Sequence, residues 1–236
     1  MSNITTISFF KYTSTRQKLW AFGMMQFAHK ALQKQPGLQW YKLMGSGKGM
    51  GFNPLPDWST YSLLIVWENE YVASQFFQKS DLFQSYRTNA TQNWTSYMKN
   101  ISARGEWSKR KPFEPHNDLN DEIEELAVIT RATIRWNKLI PFWKYVPKSE
   151  KPLHQNAGLV FTKGIGEVPI LQMATFSIWK DKTALSAFAH HSTEHRTAIE
   201  KTKKIDWYSE ELFARFQIFK DDGRAAWLRT LEEEKF

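Results

Sequence analysis

One pattern occurs twice in this chain. YSLLIVWENEYVASQFFQKSDLF (61–83) is matched by MATFSIWKDKTALSAFAHHSTEH (173–195). In each, an apolar run rich in β-formers ends in Trp, a charged turn follows, and a helical pattern then carries a Ser at the same offset. Trp67 answers Trp179, Phe76 answers Phe188, Ser80 answers Ser192 and Phe83 answers His195. The match extends outward. KLMGSGKG (42–49) resembles FTKGIGE (161–167), KLWAFG (18–23) resembles KLIPFW (138–143), and NWTSYMKNISARGEW (93–107) resembles DWYSEELFARFQIF (206–219). Strand-like runs, ISFFKY (7–12) and ELAVITRATIR (125–135), open the two copies.

Each half therefore reads strand, helix, strand, strand, helix, strand, the ferredoxin-like order. In ATFSIW, alternation puts Ala174, Phe176 and Ile178 on one face. Helices cover one side of such a sheet, and the other side must bury against something. Two halves in one chain can do so sheet on sheet. The expected fold class is α+β, with two ferredoxin-like repeats forming an intrachain pseudo-dimeric α+β barrel. The boundaries are 1–107 for the N-terminal repeat, 108–124 for a charged, proline-bearing linker, 125–221 for the C-terminal repeat and 222–236 for a tail.

With 42% apolar and 15% aromatic residues, 11 Trp and 17 Phe among them, the chain can fill a large core. The same rings suit a pocket for a flat apolar ligand or a membrane interface. The absence of cysteine removes disulfides, zinc–thiolate sites, iron–sulfur clusters, thiol nucleophiles and a thiolate haem ligand. A formal charge of +8 favours anionic partners such as lipid headgroups. No run approaches the ~20 apolar residues of a membrane-spanning helix, and MSNITTISFFKY lacks a signal-peptide start. The expectation is a cytoplasmic protein able to rest on a membrane, with no nucleic-acid partner; a homodimer is left open.

AFAHHSTEH (187–195) holds three of six histidines. His195 continues the helix face of Leu185 and Phe188, where the first half has the ordinary core residue Phe83. Three readings stand: a hydrogen-bonded core histidine, a haem axial ligand, or a metal site of His191 and His195 at i, i+4. GSGKGMG (45–51) lacks a nucleotide-loop ending and lies between strands, so a hairpin or bulge is expected. Arg131, Thr133 and Arg135 alternate on one strand face, which reads first as a solvated edge and second as an anion site. Arg104 and Arg215 occupy matching places in the two copies. Trp20, Phe22, Phe27, Trp40 and Tyr41 read as core, or as a groove for a long apolar ligand. No Ser–His–Asp order, carboxylate pair or dinucleotide fingerprint is present.

KLWAFGMMQFAHKAL with WYKLMGSGKGMGFNPLPDWSTYSLLIVW, AVITRATIR, GIGEVP, MATFSIW and EELFARF together resemble the spheroidene monooxygenase family of carotenoid biosynthesis, over roughly Ile7 to Phe219. The resemblance implies a monooxygenase acting at the C-2 end of an acyclic carotenoid, as hydroxylase or ketolase, with haem b iron, O2 and reduced ferredoxin. It also implies kinship with dimeric α+β barrel proteins, in which a histidine on the second helix of a ferredoxin-like unit often holds haem iron. His195 best matches that role. Arg131 and Arg215 are the candidate propionate contacts, with Trp179 and Phe188 as pocket walls. A haem or carotenoid carrier, a cofactor-free oxygenase and a haem-degrading enzyme on the same barrel are the alternatives.

Overall fold

A computed structural model describes residues 3–49, 53–144, 156–191 and 205–233. Eight strands form one closed antiparallel barrel: β1 (Ile4–Lys11), β2 (Leu38–Gly47), β3 (Pro56–Trp67), β4 (Gln92–Gly105), β5 (Leu126–Ile134), β6 (Leu159–Val168), β7 (Gln172–Trp179) and β8 (Tyr208–Asp222). The order around the barrel is β1-β3-β2-β6-β7-β5-β8-β4. Exchanging β1–β4 for β5–β8 maps this order onto itself. The halves meet at two seams, each joining a strand to its own counterpart. The β4–β8 seam is long, whereas β2–β6 pairs only at Gly45 with Gly166 and Ser46 with Ile165.

Helices lie outside. Ser14 caps α1 (Thr15–Leu32) in a capping box with Gln17. Asn69 caps α2 (Glu70–Lys79) by accepting from the Val72 amide, and Ser80 both ends α2 and caps α3 (Asp81–Asn89). At the corresponding turn of the second half, Asp181 accepts from the Ala184 amide at 2.7 Å and starts α4 (Lys182–His191). Each copy then sets one helix ring on the Trp that ends its strand. Trp67 and Phe76 lie 5.0 Å apart between centroids, and Trp179 and Phe188 lie 5.1 Å apart.

Alternation along the strands sends one set of side chains inward, and the interior is solid. Phe9 sits among Trp94, Phe161, Phe176 and Trp227, with ring centroids 5.4 to 5.9 Å away. Ala174, Phe176 and Ile178 do face inward together. Burying rings of this size is worth roughly 1.5–3 kcal/mol each.

Both ends of the barrel are closed by segments that the sequence reading left as tail and linker. Residues 222–236 include α5 (Arg224–Glu233), which drives Trp227 into the core against Phe9 and Trp94. Gly223 makes the turn between β8 and α5 at φ +86, where a Cβ would stand 2.3 Å from the Asn93 carbonyl oxygen. Arg224 anchors α5 with a two-pronged bond to Glu125 at 2.5 and 2.7 Å. Inside 108–124, Phe113 is buried against Trp40 and Phe216. The aromatic side chains are what convert these stretches into lids.

Candidate functional site

At the short β2–β6 seam the strands part, and a slot of about 220 Å³ opens there. Its floor is backbone: Gly45, Gly47, Gly164 and Gly166, two from each half. Phe22 and Met25 of α1, Trp58 and Tyr61 of β3, and Trp143 stand around it. Phe22 and Trp58 meet edge to face at 5.5 Å, and Trp143 is tied by its indole N–H to the Ile170 carbonyl at 3.1 Å. A Cβ on Gly45 would meet nothing within 4 Å, whereas one on Gly166 would stand 2.5 Å from the Gln172 carbonyl oxygen. Gly45 thus leaves open space above the floor, and Gly166 permits close strand pairing.

The charges at the slot are matched. Asp57 accepts from Lys163 Nζ at 2.9 Å, from the Ser59 amide at 2.9 Å and from Ser59 Oγ at 2.5 Å. Burial pushes its carboxyl up, but Lys163 and Ser59 outweigh burial and hold it below the ordinary range. Burial first, and then the Asp57 charge, push the Tyr61 phenol up. Glu167 receives Lys42 Nζ at 2.5 Å and Trp107 Nε1 at 2.6 Å. The slot is therefore an apolar trough with its fixed charges paired at the edge. It suits a flat hydrocarbon and presents no activated nucleophile among the described residues.

Next to the slot, the outer sheet face differs between the halves. In the first half the cross-strand pairs are Tyr41 with Ile65 and Leu43 with Leu63. Residues of this face and of α1 to α3 form one buried cluster. In the second half the same register holds Thr162 with Ser177 and Gly164 with Thr175. Four large side chains become four small ones. Thr162 Oγ1 is buried there without a hydrogen-bond partner, although an unpaired buried hydroxyl is costly. These small residues form a shallow cradle in the sheet face that carries one spare polar atom.

The residues singled out from sequence do not all come together. Trp179 and Phe188 do, on the outer face beside this cradle, with Trp179 Nε1 bonded to Ser177 Oγ at 3.0 Å. Trp67 and Phe76 make the same contact, so the pair fastens a helix to a sheet in both halves. Arg215 is exposed on the outer face of β8 and bonds Ser102 Oγ at 3.1 Å. Arg131 is a correction: it lies inside the barrel, fully buried, on neither a solvated edge nor the face of Trp179. Glu210 neutralises it, and its guanidinium stacks over Trp107 at 5.7 Å. His195 lies outside the described residues. His190 and His191 end α4, of which only the backbone is described there. The described residues contain no group of three metal-binding side chains.

Sequence reasoning missed Trp58, Trp143 and the role of the glycines. The hairpin or bulge expected at GSGKGMG is present as an irregularity of β2 between Gly45 and Ser46, whereas Gly164 and Gly166 lie inside β6. The available signal was that both copies place glycine at one register position, which the seam then sets face to face.

A closed antiparallel barrel with helices outside, built in a single chain, defines the class of α+β barrel proteins. Aldoxime dehydratase has this fold as well, with a TM-score of 0.59 at 10% identity over 92% of this chain and 81% of that one. No family model matches the chain. It is 34% identical over 220 residues to spheroidene monooxygenase of Cereibacter sphaeroides, covering 93% of this chain and 68% of that protein. It is 32% identical over 221 residues to spheroidene monooxygenase of Rhodobacter capsulatus, covering 93% and 92%. The chain belongs to the spheroidene monooxygenase family.

Proposed function

We propose that this protein is a carotenoid monooxygenase that oxidises the C-2 end of an acyclic polyene, and that its two halves are copies of one ferredoxin-like unit. The observation that carries the reading is the glycine-floored slot beneath Phe22, Trp58, Tyr61 and Trp143. At about 220 Å³ it is smaller than the roughly 300–1,000 Å³ that encloses a whole drug-sized ligand. A long molecule can insert only its end, which suits oxidation near a terminus. The rings clamp the flat chain, and the open space over Gly45 receives the terminal carbons.

Haem b would be held at the neighbouring cradle, with His195 proposed to bind its iron, Thr162 and Arg215 as polar contacts, and the small residues Gly164, Thr175 and Ser177 as the floor. When bound, it supplies activation of O2, with electrons from reduced ferredoxin. Each turnover inserts one oxygen atom into a C–H bond and reduces the other to water with two electrons and two protons. One round gives the alcohol, and a second at the same carbon gives a gem-diol that loses water to become the ketone. Arg131 is left out of this set because its charge is already neutralised inside the barrel.

The test is spectroscopic and chemical together. Purified protein should show a Soret band and add oxygen to an acyclic carotenoid when given ferredoxin, a reductant and air. His195→Ala should lose the band and the turnover while its far-ultraviolet circular dichroism stays unchanged. An intact Soret band in that variant removes His195 from the role. Turnover by protein without any chromophore favours a cofactor-free oxygenase on the same barrel.

A further inference from the structure

The first 56 residues carry seven Lys and Arg and no carboxylate, and Asp57 is the first acidic residue of the chain. This stretch thus carries a net charge of +7, against +8 for the whole chain. Lys42 is turned inward to Glu167, while Arg16, Lys30, Lys34 and Lys48 are exposed. Helix α1 is apolar on two sides. Ala21, Ala28 and Leu32 face the core. On the outward face, at positions i, i+3 and i+8, Leu19 is 67% exposed, Phe22 55% and Phe27 74%. Leu55 and Trp58 continue this patch at 58% and 54% exposed, and Phe22 belongs to it and to the slot wall alike. Large apolar side chains in water beside the exposed Arg16, Lys30, Lys34 and Lys48 are the signature of a helix that lies in a lipid headgroup layer.

We propose that the outward face of α1, with Leu55 and Trp58, docks on a bilayer containing anionic lipid, and that the slot then opens directly onto the acyl chains. The basic residues meet the phosphates, and Leu19, Phe22, Phe27 and Trp58 enter the headgroup boundary. A polyene end passes from membrane to slot without crossing water. This deepens the carotenoid reading and rests on it for what travels, but the docking itself stands on the surface alone.

Sedimentation with vesicles of phosphatidylcholine, with and without phosphatidylglycerol, tests it. The protein should bind the anionic vesicles roughly tenfold or more tightly than the neutral ones. Leu19→Ser with Phe27→Ser touches no slot residue and should weaken binding to both kinds by roughly tenfold or more. Arg16→Gln with Lys30→Gln should erase the preference for anionic lipid. All variants should keep wild-type thermal stability and turnover of detergent-dispersed carotenoid. Wild-type protein left in the supernatant, or apolar variants that sediment like wild type, would overturn the proposal. So would variants that convert a dimer to a monomer in sedimentation velocity, which would give the face to a second copy. Vesicle binding without turnover would uphold the docking and remove the carotenoid reading instead.

Discussion

Gly45→Leu should abolish carotenoid oxidation and leave the fold almost untouched. Nothing stands within 4 Å of where its Cβ would be, and the backbone there needs no left-handed conformation. The new Cβ therefore meets no clash, and the side chain extends into the slot that Tyr61, Phe22 and Trp58 line. A polyene end held back by the width of a methyl group misses the oxidising position. Misplacement of about 1 Å can cost on the order of 10²-fold in rate, so a fall of at least that size in kcat/KM is expected. The melting temperature should stay within a few degrees, and the Soret band of the variant should match that of wild type. The contrast is Gly166→Ala, whose Cβ would stand 2.5 Å from the Gln172 carbonyl oxygen. That change should be felt first in stability.

The second large effect concerns the barrel and not the substrate. Glu210→Ala should destabilise the protein by about 3–5 kcal/mol in chemical denaturation, because it leaves the buried Arg131 without a counter-charge. Glu210 also accepts the Ser108 and Lys109 amides at 3.0 and 2.7 Å. Those two residues have positive φ, 55 and 60, in the turn that carries Trp107 into the core. One carboxylate thus holds both the arginine and the lid. Burial alone would raise its carboxyl, but the Lys109 and Ser108 amides and then Arg131 keep it below its ordinary 4.5. A folded value below the unfolded one means that this stabilisation is complete above pH 4.5 and is lost as pH falls through the folded value. The wild type should lose stability over that acid range, and Glu210→Ala should show a flatter profile there. Equal stabilities of variant and wild type at neutral pH would show that Arg131 does not depend on Glu210.

Much of the architecture was legible because repetition and alternation are local. Trp67 with Phe76 and Trp179 with Phe188 could be matched by spacing alone, and they make the same contact at 5.0 and 5.1 Å. The inward face of β7 followed from period two. Arg131 was misread for a physical reason: an alternating Arg-Thr-Arg run looks solvated unless its partner is known. That partner, Glu210, comes from β8 through the register of a closed barrel. The slot was hidden for the same reason, since its walls come from α1, β2, β3, β6, β7 and Trp143. Phe22 was noticed, but Trp20 beside it turned out to pack on Tyr12 and Tyr86 in the core. Helical phase, and not ring content, separates the two. The cradle of small residues was visible only as four substitutions between copies, and these gain meaning once Thr162 and Ser177 are seen to pair across β6 and β7.

The natural chain has no cysteine, so Gly45→Cys places a single thiol on the floor of the slot, and its alkylation rate reports what covers it. Adding an acyclic carotenoid in detergent should slow alkylation of that thiol roughly tenfold or more at saturation, while a thiol placed by Gln84→Cys on α3 should react at its usual rate. An unchanged rate at position 45 under conditions where the carotenoid is still oxidised would put the substrate elsewhere and contradict the account.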